Sequence, residues 1–320
     1  MRFIAILAIL NVISALVGLS VGSSNIGIYD VVKVLTGDSN ENVKQIVLNC
    51  RLPRLLLAML VGSSLATAGC SMQAFFRNPL ADPYILGISS GACVGVALVI
   101  ILGIATIQNI MISAFLMALI TAFLVYKIGS LARFREQSYA ILLAGIAISC
   151  FMNGLASILI YLASQSMHLV VFWIMGSFSN TTWNDVFFLA PVSILCILFI
   201  FLNSWNLNAI LMGDEHAKAV GLDVERFQKE LLAVVSLLTA SAVAVSGIIG
   251  FVGIIIPHTM RLIVGESHQT LIPATILFGS AFMPLVDVIA RTTTAGELPV
   301  GDITAMLGAP FFVYLLLRGL

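Results

Sequence analysis

Asp287 and Arg291 stand four residues apart near the end of an otherwise apolar run, the clearest case in the chain of a carboxylate set among hydrophobic residues. On a helix that spacing puts the two side chains on one face, where they neutralise each other. The sharper alternative is a proton or sodium relay through Asp287, because a carboxylate at membrane depth is costly and marks ion pathways. Other chemistry has less to stand on. No Gly-x-x-x-x-Gly-Lys-Ser/Thr run occurs, so the chain has no phosphate-cradling loop of that type. No His-Glu-x-x-His zinc motif occurs either. His168, His216, His258 and His268 are scattered without a second ligand at helical spacing. His258, three residues before Arg261, reads as a packing and hydrogen-bonding residue. Cys50, Cys70, Cys93, Cys150 and Cys196 have no paired spacing and read as small hydrophobes. Neither a cofactor nor a metal site is expected.

The elements that must carry these residues are membrane helices. Of 320 residues 60% are hydrophobic and 9% charged, and the mean hydropathy is +1.10. Fifteen basic and fifteen acidic residues leave no net charge, which removes the cationic field that nucleic-acid binding needs. A bilayer core of about 30 Å takes roughly 20 apolar residues per helix. Such stretches recur at 3–22, 54–76, 85–104, 108–127, 139–163, 186–203, 230–249, 251–264, 271–291 and 303–318. The run at 251–264 is short and spans only in part. Strand alternation is absent, and backbone groups in lipid must bond within their own segment. We therefore expect an all-α, polytopic integral membrane bundle of about ten helices, one domain over residues 1–320. The first run exceeds the 7–15 apolar residues typical of a signal peptide and reads as a retained helix.

Charge sets the orientation. With the N-terminus inside, ten basic residues face inward (Arg2, Arg77, Lys127, Arg133, Arg135, Lys218, Arg226, Lys229, Arg261 and Arg318) and five outward (Lys33, Lys44, Arg51, Arg54 and Arg291). The positive-inside rule then puts both termini in the cytoplasm of a multi-pass cell-membrane protein.

The interruptions are the most specific part of the sequence. Arg77-Asn78-Pro79-Leu80-Ala81-Asp82-Pro83 stops one helix with two prolines, and Gly87, Gly91 and Gly95 give the next a smooth face for a neighbour. Eight of the thirty charged residues crowd into 212–230. Within that insert Gly213-Asp214-Glu215-His216-Ala217-Lys218-Ala219-Val220-Gly221 reads as a short helix, with Asp214 capping its start and Gly221 suited to a left-handed end. Ala217 and Val220, three apart, fall on one small face that fits a groove on another protein; an ordinary solvated loop is the alternative. Gln165, Ser166, Met167, His168, Trp173, Gly176, Ser177, Trp183 and Asn184 form a polar and aromatic stretch suited to a membrane interface.

In order along the chain, Arg51-Leu52-Pro53-Arg54, Gln73, Asn78-Pro79-Leu80-Ala81-Asp82-Pro83, Leu86-Gly87-Ile88-Ser89-Ser90-Gly91-Ala92, Gly250-Phe251-Val252-Gly253, Pro257-His258, Arg261, Asp287, Arg291, Glu297-Leu298-Pro299-Val300-Gly301 and Gly308-Ala309-Pro310 resemble the permease subunits of the FecCD-type ABC importers for iron–siderophore, haem and cobalamin. One block departs: where the family carries an Asp-His-Arg-like run, this chain reads Glu266-Ser267-His268-Gln269. The resemblance implies a homodimer, or a pseudo-symmetric heterodimer, of permease subunits. Two ATP-binding-cassette ATPases would sit inside and one extracytoplasmic binding protein outside, while the chain itself catalyses no covalent chemistry. It implies ATPase coupling through Gly213, Asp214, Ala217, Val220 and Gly221, and an inner gate at Asn78, Leu80, Gln137 and Ser138. It also implies docking of the binding protein on Arg51, Arg54 and Arg291, for which lipid snorkelling is the alternative. A secondary carrier driven by an ion gradient is the competing class, and the scarcity of intramembrane charge speaks against it.

The charge count predicts that cysteines placed singly at Phe134 and Leu320 are shielded from an impermeant thiol reagent added outside, whereas one at Asp38 is labelled. Strong external labelling at position 134 would overturn this topology.

Overall fold

Hydrocarbon leaves a backbone no partner but itself, and the described residues fold into helices and turns alone. The computed structural model describes all residues except 1, 23–25, 38–39, 133–136, 295 and 318–320. Asp38, Arg133, Phe134, Arg135, Arg318 and Leu320, used in the orientation reading, lie outside the described residues. In chain order the α-helices are α1 (Arg2–Ser20), α2 (Ile28–Thr36), α3 (Glu41–Gln45), α4 (Leu52–Phe76), α5 (Ile88–Ile101), α6 (Ile107–Leu131), α7 (Gln137–Leu162), α8 (Met167–Ile174), α9 (Trp183–Leu202), α10 (Ser204–Leu211), α11 (Asp214–Ala219), α12 (Val224–Ser246), α13 (Val252–Val264), α14 (His268–Thr293) and α15 (Val300–Leu317). A π-helical turn, Ile46–Arg51, feeds α4, and a 3-10 turn, Pro83–Leu86, precedes α5.

Seven helices are long and apolar enough to cross a bilayer: α1, α4 with the turns before it, α6, α7, α9, α12 and α14. The shorter apolar helices α5, α13 and α15 complete the ten expected from the sequence. The sequence reading places no helix at α2, α3, α8 or α10. Each has nine residues or fewer, too short to leave a periodic signal.

Helix α4 is the axis of the bundle. It packs along α14 and touches α13, α12 and α9, while α5, α6 and α7 form a second group joined to the first through α12; α1 lies against α14. Apolar helices gain nothing from leaving lipid for one another, so close backbone approach must hold them. Two glycine pairs provide it. A Cβ on Gly62 would overlap the carbonyl of Gly279 on α14, and one on Gly69 would overlap the backbone of Gly253 on α13. Gly91 and Gly95 meet α6 at Met117, Thr121 and Ser113 in the same way, as the four-residue spacing anticipates.

Because α13 starts beside Gly69, seven residues before α4 ends, it begins inside the bundle and runs toward one end only. Irregular backbone at that depth survives only where protein satisfies it. The turns after α8 and α12 and before α5 and α15 supply one another. Tyr84 donates its hydroxyl to the Ile249 carbonyl at 3.1 Å and accepts from the Ile249 amide at 3.3 Å. Ser177 N–H donates to Ser246 at 2.9 Å, Val300 N–H to Gly176 at 2.9 Å and Gly301 N–H to Met175 at 3.1 Å.

Gly62→Ala and Gly279→Ala each force α4 and α14 apart and should lower stability by about 1–3 kcal/mol. Gly154→Ala, where nothing lies within 4 Å of the new methyl, should not. Thermal unfolding in detergent checks this, and equal midpoints for all three variants would remove the glycine contact as the organising feature.

Candidate functional site

The charged residues gather at the two ends of the bundle. At one end the start of α4, the end of α14 and the segment before α15 bring together residues more than two hundred positions apart. Arg54 Nε donates to Asp287 Oδ1 and Oδ2 at 3.1 and 3.0 Å, and Nη2 donates to Oδ1 at 2.8 Å. The same guanidinium donates from Nη1 and Nη2 to the Glu297 carboxylate at 3.1 and 3.0 Å. Such forked contacts fix geometry as well as charge. Arg291 Nε lies 3.7 Å from Asp287 Oδ2, while its Nη2 donates to the Gly18 carbonyl at 2.6 Å. The Asp287–Arg291 pairing read from spacing is present, but it is the weaker of two. The carboxylate is held first by Arg54, whose planar fork reaches both oxygens, and Arg291 is turned toward the end of α1.

Arg51 donates to the Leu19, Ser20 and Ile26 carbonyls, where α1 runs out of intrahelical partners. The three arginines expected to meet a binding protein are therefore buried: Arg51 is 5% exposed, and the side chains of Arg54 and Arg291 are 11% and 7% exposed. They form the wall of a cleft of about 380 Å³, shared with Glu297, Asn180 and Thr181. Glu297, at φ +53 and with a side chain 34% exposed, is the carboxylate of the group nearest solvent. The sequence reading quotes it in a motif but gives it no role.

At the other end α10 and α11 lie under the end of α4. Asp214 does not cap α11; Gly213 occupies the cap, and the Asp214 carboxylate pairs with Arg77. Arg77 Nε also donates to the Ile210 carbonyl at 3.0 Å. Gly221 takes the left-handed conformation expected of it, φ +88. Ala217 and Val220 stay in helical register, the Val220 amide donating to the His216 carbonyl at 3.1 Å, but they differ in exposure. Ala217 is fully buried against its own chain, whereas Val220 is 62% exposed and Met212, on the other side of Gly213, is 69% exposed. Any partner at this helix meets Val220, not Ala217.

Asn78 and Ser138 line one cleft of about 280 Å³ with Arg77, Ala81, Ile85 and Tyr139. Leu80 sits at its edge, its amide donating to Asn78 Oδ1 at 2.9 Å, and Gln137 is the first residue of α7. One turn inward Arg261 donates to Gln73 Oε1 at 2.9 Å, and Gln73 reaches the Gly253 carbonyl at 3.3 Å.

The histidines part company with their sequence reading in two respects, the place of His268 and the hydrogen bonding of His258. His268 is not in a loop: it starts α14, is fully buried, and meets Asn208 Oδ1 through its amide at 2.9 Å and Nδ1 at 2.7 Å. His258 packs edge-on to Phe311, ring centroids 6.2 Å apart, with no hydrogen-bond partner for either ring nitrogen among the described residues. The run Gly87-Ile88-Ser89-Ser90-Gly91 has the spacing of a nucleophile elbow. Ser89, in the nucleophile's place, instead stands in the first turn of α5, after a 3-10 turn and not after a strand. The sequence reading also passes over Asn153 and Ser157, an exposed polar pair at i,i+4 in the apolar α7.

The profile of the FecCD transport family matches residues 8–318. The chain is 42% identical over 276 residues to the cobalamin import system permease protein BtuC of Halobacterium salinarum, covering 86% of this chain and 74% of that one. It is 35% identical over 324 residues to the molybdate import system permease protein MolB of Haemophilus influenzae, covering 98% and 95%. Among solved structures it superposes with TM-score 0.88 on an inward-facing metal-chelate type ABC transporter, at 32% identity and 99% coverage of both chains.

Arg54→Met leaves Glu297 without its cation and Asp287 with Arg291 alone at 3.7 Å, and should destabilise the protein by about 3–5 kcal/mol, as removing one partner of a buried pair does. Glu297→Gln, at the solvent edge, should cost below about 1 kcal/mol. Unfolding midpoints compare them, and equal effects would mean that Asp287 is not the principal partner.

Proposed function

The chain belongs to the FecCD transport family as the permease subunit of an ATP-binding-cassette importer, and we propose that its cargo is an iron chelate, haem or cobalamin. An extracytoplasmic binding protein delivers the cargo, and two ATPase subunits drive it inward through a permease homodimer. The observation that carries this reading is the pairing of a family match over nearly the whole chain with the charged insert 212–230 at one end and the arginine cleft at the other.

The end bearing Arg51, Arg54 and Arg291 is the outer face. Carboxylates of the binding protein enter the cleft there and meet arginines already oriented by Asp287, Glu297 and backbone carbonyls, so little ordering remains to be done on docking. The insert is the cytoplasmic face, where Val220 and Met212 offer apolar contact to the ATPase among Glu215 and Lys218. Asn78, Leu80, Gln137 and Ser138 narrow the inner end of the path. Exposed Asn153 and Ser157 on α7 support a second subunit against that helix, since polar side chains in a span turn from lipid toward a partner or a wet path. Relatives named for cobalamin and for molybdate set the range of cargo to be tested.

In proteoliposomes containing the chain with its ATPase and binding protein, ATP-dependent uptake of radiolabelled cobalamin, haem or a ferric siderophore is expected, and Val220→Asp should abolish it. Uptake of molybdate with none of the chelates would overturn the cargo class.

A further inference from the structure

We propose that Arg77 is the positioning residue that links the ATPase-docking segment to the loop at the inner end of the path. This rests on the permease reading above. Arg77 ends α4 in the left-handed conformation, φ +49, uncommon outside glycine. That backbone turns its side chain under the bundle, where the guanidinium reaches both sides of the turn between α10 and α11. Nε donates to Ile210, in the last turn of α10, and Nη2 pairs with Asp214, the first residue of α11. The turn between them contains Gly213 at φ +112, a conformation few other residues adopt. Helix α10 is held from another side, by Asn208 on the buried start of α14. Helix α10 is thus held on two sides, and α11 joins it across the Gly213 turn.

What Arg77 holds on its other side is the gate loop. Its own amide donates to Ala74 at 3.2 Å and the Asn78 amide to Gln73 at 3.1 Å, so the cap and the loop are one hydrogen-bonded unit. Asn78 then accepts from the Leu80 amide through Oδ1 at 2.9 Å and from the Ala81 amide through its carbonyl at 3.1 Å. Arg77 and Asn78 line the same cleft as Ser138 of α7. From Asp214 to Leu80 the connection therefore runs through a single side chain and an adjoining turn. A half-exposed ion pair adds little to stability by itself. Its value lies in making the position of α11 and the conformation of 78–81 interdependent, which is a physical basis for coupling two sites.

The test uses the permease purified with its ATPase, the five native cysteines replaced and Leu80→Cys introduced as a reporter. The rate of thiol labelling at position 80 is compared without nucleotide and after trapping with ATP and vanadate. We expect trapping to change the rate in the parent complex. We expect that change to be lost in Arg77→Gln and in Asp214→Asn, with no further loss in the double variant, while the ATPase still co-purifies with Arg77→Gln, which changes no residue of the docking segment. A residue that only stapled the fold would lower yield or thermal stability and leave the response to nucleotide intact. Should Arg77→Gln fold poorly, Asp214→Asn, outside α4 and the loop, carries the measurement alone. A nucleotide response retained in Asp214→Asn overturns the proposal. Failure of the parent chain to co-purify with an ATPase would instead remove the permease reading on which it rests.

Discussion

Contact of backbone with backbone, at Gly62 with Gly279 and at Gly69 with Gly253, is the constraint from which the rest of the structure follows. In lipid the apolar side chains of α14 and α13 have no preference for α4 over acyl chains, so dispersion at short range must decide the packing. Removing the Cβ at four positions lets three helices approach closely enough for it to do so. That approach fixes where α13 begins, and hence the depth at which α12 has to end. The turn between them then lies inside the bundle, where Tyr84 and the turn after α8 provide its hydrogen bonds.

The ten helices were legible because each needs its own apolar run, and even the shortness of α13 showed as a run too brief to span. Gly91 and Gly95 were legible because a four-residue spacing has one geometric meaning on a helix. The pairing of Arg54 with Asp287 was not. Those residues are 233 positions apart, and no periodicity connects them, whereas Arg291 at i,i+4 offered a local partner that the fold used only at 3.7 Å. The sidedness of α11 failed for a different reason. The spacing of Ala217 and Val220 makes the two neighbours on a helix but does not say which of them the rest of the chain covers, and packing of α11 on α10 and α12 buries Ala217 while Val220 stays outside. Asp214 was read as a cap because a local rule was available, while the cation that claims it comes from the end of α4.

The ends of the bundle are held by charge in two different ways. At the Arg51 end the groups are buried, multiply bonded and joined to backbone carbonyls, so that moving one disturbs all of them. At the insert end the Arg77–Asp214 pair is about one-third exposed on each side and sits beside a glycine turn. Water can replace it at small cost. One end has the makings of a rigid socket and the other of a joint, which is the distribution of stiffness expected where one face receives a partner and the other is moved by one.

The Arg54 clamp also has a history within each molecule. A ribosome adding roughly 5–20 residues per second delivers Arg54 to the membrane on the order of ten to fifty seconds before Asp287. During that interval α4 carries a guanidinium with neither of its eventual carboxylates made, and it must keep that group among lipid headgroups or water. The helix that ends as the most enclosed member of the bundle is therefore among the first to enter the bilayer, and it waits there with its charged end unanchored. Arrival of α14 then draws that end in and supplies Asp287 and the Gly279 contact together, so a chain interrupted before its ninth span would leave the insertion machinery or a chaperone facing an arginine it had no means to bury.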